Sequence, residues 1–573
     1  MTVSGETRRY GMVAAVTLLV IAASVAVVFP IGEYAIDDDW AYVRALEHLQ
    51  FDGRVEILRW NPMSLVGHLA WGWLFTSLFG FSFTVTKLSV VVAFVIECAA
   101  FLALLRHFDI PARLAGLAMA ALVFDPLHFF HAFQFTTDVP AIMWALLALW
   151  LYARALDGAS HSSTATLLLA SICTGLAFLV RQSGVLVALA VVASLLVSDR
   201  RRLASPRFLL AAFGPVAVTV AIFTWWYQTI HGPTRAYIDL QAAVWAWVTH
   251  PVASDVARAL FVLPIYVGLF ALPLTLGVLP ATTRVAARQR ALLLALALFG
   301  TAALLAFGLH LGEFFPYLRN KITPFGYMRP NEFIFGNRAV LWPSGTTWVL
   351  SALGFLSALA FIAAAVSSPG VRPESTRRGR WLLLTFVLGQ LAYGVVTWPI
   401  IFDRHLMMLV PSAILLYCVL VRDVAVVRIW IFGALLVPLM FASLAGTHDV
   451  HAIARTAFRV GEEVVGSGVT PRKVDAGYAF DGWYFFEGQR EGGGWSTSED
   501  PWWIRRLMPS LQADYVVSLT PSIEYDVGME RVTGPDRELL VRPRLRDFEV
   551  VESYSYRTLW PYGEGRLYLL ARR

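Results

Sequence analysis

Long apolar stretches alternate with short polar ones from the N-terminus to about residue 446. A helix that crosses the hydrocarbon core of a bilayer needs about 20 consecutive apolar residues. About thirteen stretches approach that length, which predicts a polytopic bundle of transmembrane helices. The predicted spans lie near residues 12–30, 84–105, 114–130, 140–156, 165–180, 184–198, 206–230, 256–280, 291–311, 346–366, 381–399, 406–421 and 429–446.

The arginines predict which side of the membrane each loop occupies, because basic residues concentrate in cytoplasmic loops. One apolar segment, Pro62–Phe79, decides the orientation. If it spans the membrane, Arg200–Arg202 falls outside. If it lies in the outer interface as an amphipathic or re-entrant segment, the basic clusters all fall inside. We therefore expect the N-terminus inside, the C-terminus outside, and an outer loop 31–83 with interfacial helices.

The tail, residues 447–573, has dense polar residues and no apolar run of membrane length. We expect a small extracytoplasmic α/β domain here, after a membrane module formed by residues 1–446. Its Gly- and Trp-rich stretch Gly482–Trp503 fits either a sugar-stacking surface or a loop packed on the membrane interface. The predicted helices are His448–Val465 and Asp500–Leu511, and the predicted strands are Val474–Phe480, Ala513–Leu519, Phe548–Tyr556 and Arg566–Ala571.

Composition agrees with a membrane protein. Of the 573 residues 57% are hydrophobic and 15% are charged, and the mean hydropathy is +0.62. Soluble domains carry about 25% charged residues. The net charge of +6 reflects short arginine clusters between apolar runs, which argues against nucleic acid as a partner. The three cysteines, Cys98, Cys173 and Cys418, lie in apolar runs without metal-ligand spacing.

Three consecutive carboxylates, Asp37-Asp38-Asp39, follow the first span directly. Near the membrane the dielectric constant is lower than in bulk water, so one of these carboxyls can have a raised pKa and act as a base. The alternative is that the run caps the next helix, although a cap uses one aspartate. We favour a functional role.

A second acid, Asp138, lies in the short outer loop before Pro140. An N-cap is a strong alternative for it. His128 and His131 lie close by in sequence and fit either a polar site or the membrane interface. Together with the aspartate run, Asp138 predicts two acidic positions on the same face of the membrane.

Three cations, Lys87, Arg181 and Arg404, are also predicted on the outer face, against the positive-inside bias. Each therefore needs a partner. Lipid phosphate is one candidate partner, since arginine makes bidentate hydrogen bonds to phosphate oxygens and lysine contributes a point charge. Salt bridges are the other candidate, from Arg404 to Asp403 or from Arg181 to one of the acids.

These motifs resemble those of C-type glycosyltransferases, in particular protein O-mannosyltransferases and the bacterial lipid A aminoarabinose transferase. The pair Asp38-Asp39, with Tyr42 as the downstream aromatic residue, is similar to the family's first-loop motif. Thr137-Asp138-Val139-Pro140 resembles the second-loop acid of the bacterial members. Phe402-Asp403-Arg404-His405 resembles an Asp-Arg-Tyr motif in which His405 replaces the tyrosine. The resemblance covers about residues 7–445.

The resemblance implies an inverting glycosyltransferase that uses a polyprenyl-phosphate-sugar donor at the outer face of the plasma or inner membrane. Asp38 would be the base, Asp39 would position the acceptor and Asp138 would be a second acid, with Asp37 as the alternative base. The residues expected to contact substrate are Arg404, His405, Lys87, Arg181 and Tyr42. No cofactor is expected, and a divalent metal that bridges the acids is less favoured.

Two other functions stay open at this point. One is a lipid or solute transporter, and the other is a ligase or oligosaccharyltransferase that uses a diphosphate-linked donor. The sequence identifies neither the sugar nor the acceptor, which is a glycan, a lipid or a protein.

Overall fold

The structure of the chain is a computed structural model. The structure describes residues 3–157, 163–280, 287–310, 312, 314–318, 320–328, 333–336, 341–342, 344–367, 374–423, 425–488, 502–521, 548–560 and 563–573.

Helices dominate the described residues. In chain order they are α1 (Val3–Val28), α2 (Asp39–Asp52), α3 (Val66–Phe79), α4 (Phe83–His107), α5 (Ala112–Val123), α6 (Pro126–Ala132), α7 (Asp138–Asp157), α8 (Ser163–Val180), α9 (Leu186–Ser198), α10 (Arg200–Leu203), α11 (Pro206–Trp226), α12 (Arg235–Thr249), α13 (Ala253–Phe270), α14 (Leu272–Gly277), α15 (Ala287–His310), α16 (Ser344–Ser367), α17 (Glu374–Val396), α18 (Leu409–Val421), α19 (Ile429–Gly466), α20 (Tyr478–Phe485) and α21 (Trp502–Leu507).

The strands in the described residues are β1 (Val278–Pro280), β2 (Ile322–Thr323), β3 (Gly326–Tyr327), β4 (Ala425–Val427), β5 (Val474–Asp475), β6 (Tyr515–Ser518), β7 (Phe548–Arg557) and β8 (Glu564–Arg572). The antiparallel pair β1 and β4 joins two distant loops, while β2 and β3 form a tight antiparallel hairpin. A four-stranded sheet of order β5-β6-β8-β7 forms in the tail, with β5 and β6 parallel.

The predicted all-α membrane bundle is confirmed. Nine helices in the described residues are long and apolar enough to cross a membrane. A tenth candidate is the pair α5 and α6, bent by 65° where Asp125 caps α6 and Pro126 begins it. Three shorter apolar helices complete the set, Thr164–Val180, Gln182–Ser198 and Leu293–Ala306. These helices match the thirteen predicted spans in order, while the number that cross and their direction stay predictions.

The loop 31–83 contains two helices, α2 and α3, each of 14 residues. At about 1.5 Å per residue each is about 21 Å long, shorter than the hydrocarbon core of about 30 Å. Helix α3 packs against α2, α4 and α8. Its length agrees with the interpretation of Pro62–Phe79 as a segment that does not span.

Helix α19 runs for 38 residues from the bundle into the tail. At about 57 Å it is longer than a bilayer is thick, so it connects the bundle to the tail domain without a separate linker. The boundary expected between residues 446 and 447 falls inside this helix, and His448–Val465 is its second half rather than a separate helix.

The tail is a small α/β domain, as predicted. Strands β6, β7 and β8 agree with the predicted strands, and α21 lies within the predicted helix Asp500–Leu511. The predicted strand Val474–Phe480 is wrong after Asp475, because Gly477 adopts φ +97° and α20 begins at Tyr478. The Gly-Trp run Gly492–Trp495 lies outside the described residues.

Candidate active site

The aspartate run lies at the start of α2 and is buried. Asp37 adopts φ +55°, a left-handed conformation that turns the chain before the helix. Asp38 occupies the N-cap position but its side chain makes no capping hydrogen bond. A helix-capping role therefore does not explain Asp38, because its carboxylate forms its hydrogen bonds with distant parts of the chain.

The Asp38 carboxylate accepts three hydrogen bonds from distant parts of the chain. Its Oδ1 accepts from Tyr478 Oη at 2.7 Å and from Trp60 Nε1 at 3.2 Å, and its Oδ2 accepts from Arg404 Nη1 at 2.9 Å. Burial raises the pKa of Asp38, but the charges of Arg404 and Lys321 outweigh it. The pKa is about 2, so Asp38 is ionised.

Asp37 forms an ion pair with Lys321, and its Oδ2 lies 3.7 Å from Arg404 Nη1. Lys321 is held in place by Asp403, whose carboxylate accepts from the backbone N–H groups of Lys321 (3.0 Å) and Ile322 (2.7 Å). Asp403 thereby fixes the loop that carries Lys321 beside the segment that carries Arg404.

Asp138 lies at the first turn of α7 and forms an ion pair with Arg181. His131 Nδ1 lies 3.9 Å from Asp138 Oδ2. Burial and the charge of Arg404 lower the pKa of Arg181 to about 10. This residue therefore remains a cation at neutral pH.

A small cavity of ≈ 30 Å³ connects the predicted positions. Its charged and titratable lining residues are Asp138, Arg181, Arg404, His405 and Tyr393, and smaller or apolar side chains, including two methionines, form the rest of the wall. The Arg404 guanidinium borders this cavity and also binds Asp38. Two carboxylate positions and two arginines, predicted from separate motifs, therefore meet at one end of the bundle.

Lys87 does not line this cavity. It is fully buried, and its Nζ donates to the carbonyls of Gly32 (3.1 Å) and Tyr34 (3.2 Å) and lies 3.3 Å from the centre of the Tyr34 ring. These contacts hold the ammonium group against the first outer loop, and the predicted contact of Lys87 with substrate phosphate stays a prediction.

Asp39 and Tyr42 are not among the residues that line the cavity. Asp39 is fully buried and its Oδ1 accepts from the backbone N–H of Ile36 at 2.5 Å. Burial raises its pKa well above the usual value, although Lys87 opposes this. The Tyr42 hydroxyl contacts Met63 Sδ at 3.7 Å. The second carboxylate oxygen of Asp39, Oδ2, is buried and has no hydrogen-bond partner among the described residues, so the predicted roles of Asp39 and Tyr42 stay predictions.

Three residues at the site were not predicted from the sequence: Trp60, Lys321 and Tyr478. Lys321 lies between the predicted spans 291–311 and 346–366, and a cation in a loop on the outer face is a signal that could have identified it. Tyr478 belongs to the tail domain and lies 440 positions from Asp38. Among the described residues, no group of three His, Cys, Asp or Glu residues is arranged to hold a metal ion, and metal independence stays a prediction.

Residues 67–226 match the family model described as Dolichyl-phosphate-mannose-protein mannosyltransferase. The predicted resemblance to C-type glycosyltransferases is confirmed. The matched segment begins in α3 and ends with α11, and it includes Asp138 and Arg181. The match supports a glycosyltransferase within a multi-pass membrane protein, and it names no sugar or acceptor for this chain.

Two solved structures are similar to the chain at low identity. The apo state of ArnT from Cupriavidus metallidurans is 16% identical, with 81% of each chain covered and a TM-score of 0.34. ArnT from the same organism bound to undecaprenyl phosphate is 15% identical, with 99% of this chain and 98% of that chain covered and a TM-score of 0.36. Both TM-scores are too low to assign a fold or a ligand. No curated protein matches the chain at a significant level.

Proposed function

We propose that the protein transfers a sugar, with inversion, from a polyprenyl-phosphate donor to an acceptor hydroxyl at the outer face of the plasma or inner membrane. The supporting observation is the position of Arg404, which binds the Asp38 carboxylate on one side and borders the cavity with Arg181 on the other. The ≈ 30 Å³ cavity would have to widen to admit a lipid phosphate, which would then lie between two arginines, the residues best suited to bind its oxygens.

The proposed reaction uses the low resting pKa of Asp38. While Arg404 donates to Asp38, the carboxylate is ionised and weakly basic. As the sugar–phosphate bond breaks, the departing phosphate gains negative charge and attracts Arg404. Asp38 then loses part of its neutralising charge, so its pKa rises and it can take the proton of the acceptor hydroxyl.

The bond changes balance without another reactant. The acceptor oxygen forms a bond to the anomeric carbon, and its proton passes to Asp38. The bond between the anomeric carbon and the phosphate oxygen breaks, and its electron pair stays on the polyprenyl phosphate. Asp37 remains the alternative base because it shares Arg404 and lies beside Lys321. Asp138 would serve as the second acid by holding Arg181 at the cavity.

The test uses the full chain in lipid nanodiscs charged with polyprenyl-phosphate sugars, with release of polyprenyl phosphate followed by mass spectrometry. Asp38→Asn should reduce release by at least ~10³-fold if the base is lost, while the protein stays folded. Asp52→Asn is the matched control, because Asp52 ends the same helix α2 and is exposed beside Arg54. Normal release by Asp38→Asn would refute its assignment.

Outcomes in the wild-type protein separate the competing functions. Release of polyprenyl phosphate together with a glycosylated acceptor supports the proposal. Release of a polyprenyl diphosphate would indicate a diphosphate-linked donor instead. Movement of intact donor lipid between leaflets, with no sugar released, would indicate a transporter.

A further inference from the structure

The tail domain reaches the candidate base directly. Tyr478, the first residue of α20, is buried and donates its hydroxyl to Asp38 Oδ1 at 2.7 Å. Burial and the charge of Asp38 raise the pKa of Tyr478 well above its usual value, so the hydroxyl stays protonated and acts as a donor. A domain expected to stand on the outer surface therefore supplies a contact within the candidate active site.

The backbone around Tyr478 is held from two sides. Its N–H donates to the Phe333 carbonyl at 2.9 Å, and Asp481, one turn later, accepts from Trp503 Nε1 at 3.0 Å and from the Ala476 N–H at 3.2 Å. These contacts fix the start of α20 against a loop of the membrane module and against α21. The direction of the Tyr478 ring therefore depends on the packing of the whole tail domain.

Helix α20 also docks closely on α2, the helix that Asp38 precedes. A Cβ added to Gly482 would overlap the indole of Trp40, so the two helices approach at a position that only glycine permits. Arg44 of α2 donates to the Trp483 carbonyl at 2.5 Å, and its guanidinium lies 3.8 Å from the centre of the Trp483 ring. The docking thus sets the position of Tyr478 relative to Asp38.

We propose that Tyr478 is a positioning residue for Asp38, so that the tail domain is part of the catalytic centre rather than an accessory. This rests on the proposed function, in which Asp38 accepts the proton. A hydrogen bond donated to a carboxylate favours its charged form and fixes the direction of its second lone pair. Without Tyr478, the bond that Oδ1 keeps among the described residues is the longer one from Trp60 at 3.2 Å.

The variant Tyr478→Phe removes the hydroxyl and keeps the ring. We expect kcat to fall about 10-fold to 100-fold, the range for loss of one hydrogen bond to a charged group. KM for the lipid donor should change by less than about 2-fold, because Tyr478 does not line the cavity beside Arg181. Tyr484→Phe is the matched control, since Tyr484 lies on the same helix and donates to Glu462, away from Asp38.

A second measurement needs no turnover. Infrared titration of the full-length protein in lipid films follows the Asp38 carboxyl band, assigned by its absence in Asp38→Asn. Tyr478→Phe should move protonation of Asp38 to higher pH, because the lost bond favoured the charged form. Tyr484→Phe should leave the titration unchanged.

The outcomes separate this inference from the proposed function. If the wild type transfers sugar and Tyr478→Phe matches Tyr484→Phe in both measurements, the positioning role is wrong and the function stands. A slower Tyr478→Phe with an unchanged titration would indicate a general structural defect and would also overturn the inference. If the wild type transfers no sugar, the proposed function fails and the positioning role in transfer fails with it, while the titration reports separately on the Tyr478–Asp38 contact.

Discussion

Replacing Arg404 by methionine removes the cation that joins the candidate base to the cavity. Its side chain is about 10% exposed, and Nη1 lies 2.9 Å from Asp38 and 3.7 Å from Asp37. The substitution keeps much of the volume and removes the charge. Asp38 is then left buried beside Asp37, with Lys321 as the remaining cation at the pair.

The expected loss of stability can be estimated in two ways, from the general cost of breaking a buried ion pair and from the pKa of Asp38. Removing one partner of a buried pair costs about 3–5 kcal/mol, because an uncompensated charge stays buried. The pKa of Asp38 falls from its usual 3.8 to about 2 despite burial. A difference of that size corresponds to ~2–3 kcal/mol, shared among Arg404, Lys321 and the hydrogen bonds. Since Lys321 stays, we expect Arg404→Met to lower the free energy of unfolding by about 3 kcal/mol.

The sign of the pH dependence follows from the depressed pKa. A group whose pKa is lower in the folded state stabilises the fold above its unfolded pKa. The contribution of Asp38 is therefore complete above about pH 5 and is lost as the pH falls through 3.8 towards about 2. The cost of Arg404→Met should be constant between about pH 6 and 8.

A double-mutant cycle with Asp38→Asn isolates the pair, with unfolding free energies measured by denaturant titration in detergent micelles. We expect a coupling of about 2 kcal/mol. The control cycle uses Arg422 and Asp109, which lie 3.6 Å apart with Asp109 76% exposed, and should give less than about 1 kcal/mol. If the effects of Arg404→Met and Asp38→Asn on the unfolding free energy are additive, the ion pair is refuted. The proposal that Arg404 shifts from Asp38 towards the departing phosphate then fails with it.

Two further substitutions test contacts of the first outer loop, one made by Lys87 and one between α2 and α20 at Gly482. Lys87→Met should lower the unfolding free energy by about 2–3 kcal/mol, because the hydrogen bonds to the Gly32 and Tyr34 carbonyls are lost, and it should leave KM for the lipid donor unchanged. A large rise in KM would instead indicate that Lys87 binds the donor phosphate. Gly482→Ala should displace α20 from Trp40, because the added methyl group has no space. We expect faster proteolysis of the tail domain and at least ~10-fold slower transfer. A tail domain as resistant to protease as in the wild type would contradict the tight docking.

The membrane module was predictable because its signal is local. A span needs only a run of apolar residues, so each predicted span has a helix at its position. The tail was harder. The predicted strand Val474–Phe480 contains an apolar run typical of β-structure, yet φ +97° at Gly477 turns the chain and α20 follows. That outcome depends on tertiary packing against Trp40, which no local pattern records.

The site shows the same division. Asp38, Asp138, Arg181 and Arg404 were predicted as chemically active positions because each is a charge placed where charge is costly. The sequence could not predict how they pair. Lys87, an equally unusual cation, is fully buried and donates to two loop carbonyls, so the same signal marks a structural residue as readily as a ligand.

The neutral partners of Asp38 had no signal at all, since tyrosine and tryptophan are ordinary residues near a membrane interface. Tyr478 becomes informative only once its hydroxyl is seen 2.7 Å from Asp38. The contact between Tyr478 and Asp38 suits a tail domain that is joined to the bundle by the helix α19, because a domain that positions a catalytic side chain must hold a fixed place. A flexible linker at residue 446 would let Tyr478 move by several ångströms, and a hydrogen bond tolerates only a few tenths. The uninterrupted 38-residue helix and the buried tyrosine are therefore two parts of one arrangement, in which the tail domain is held in place to complete the site.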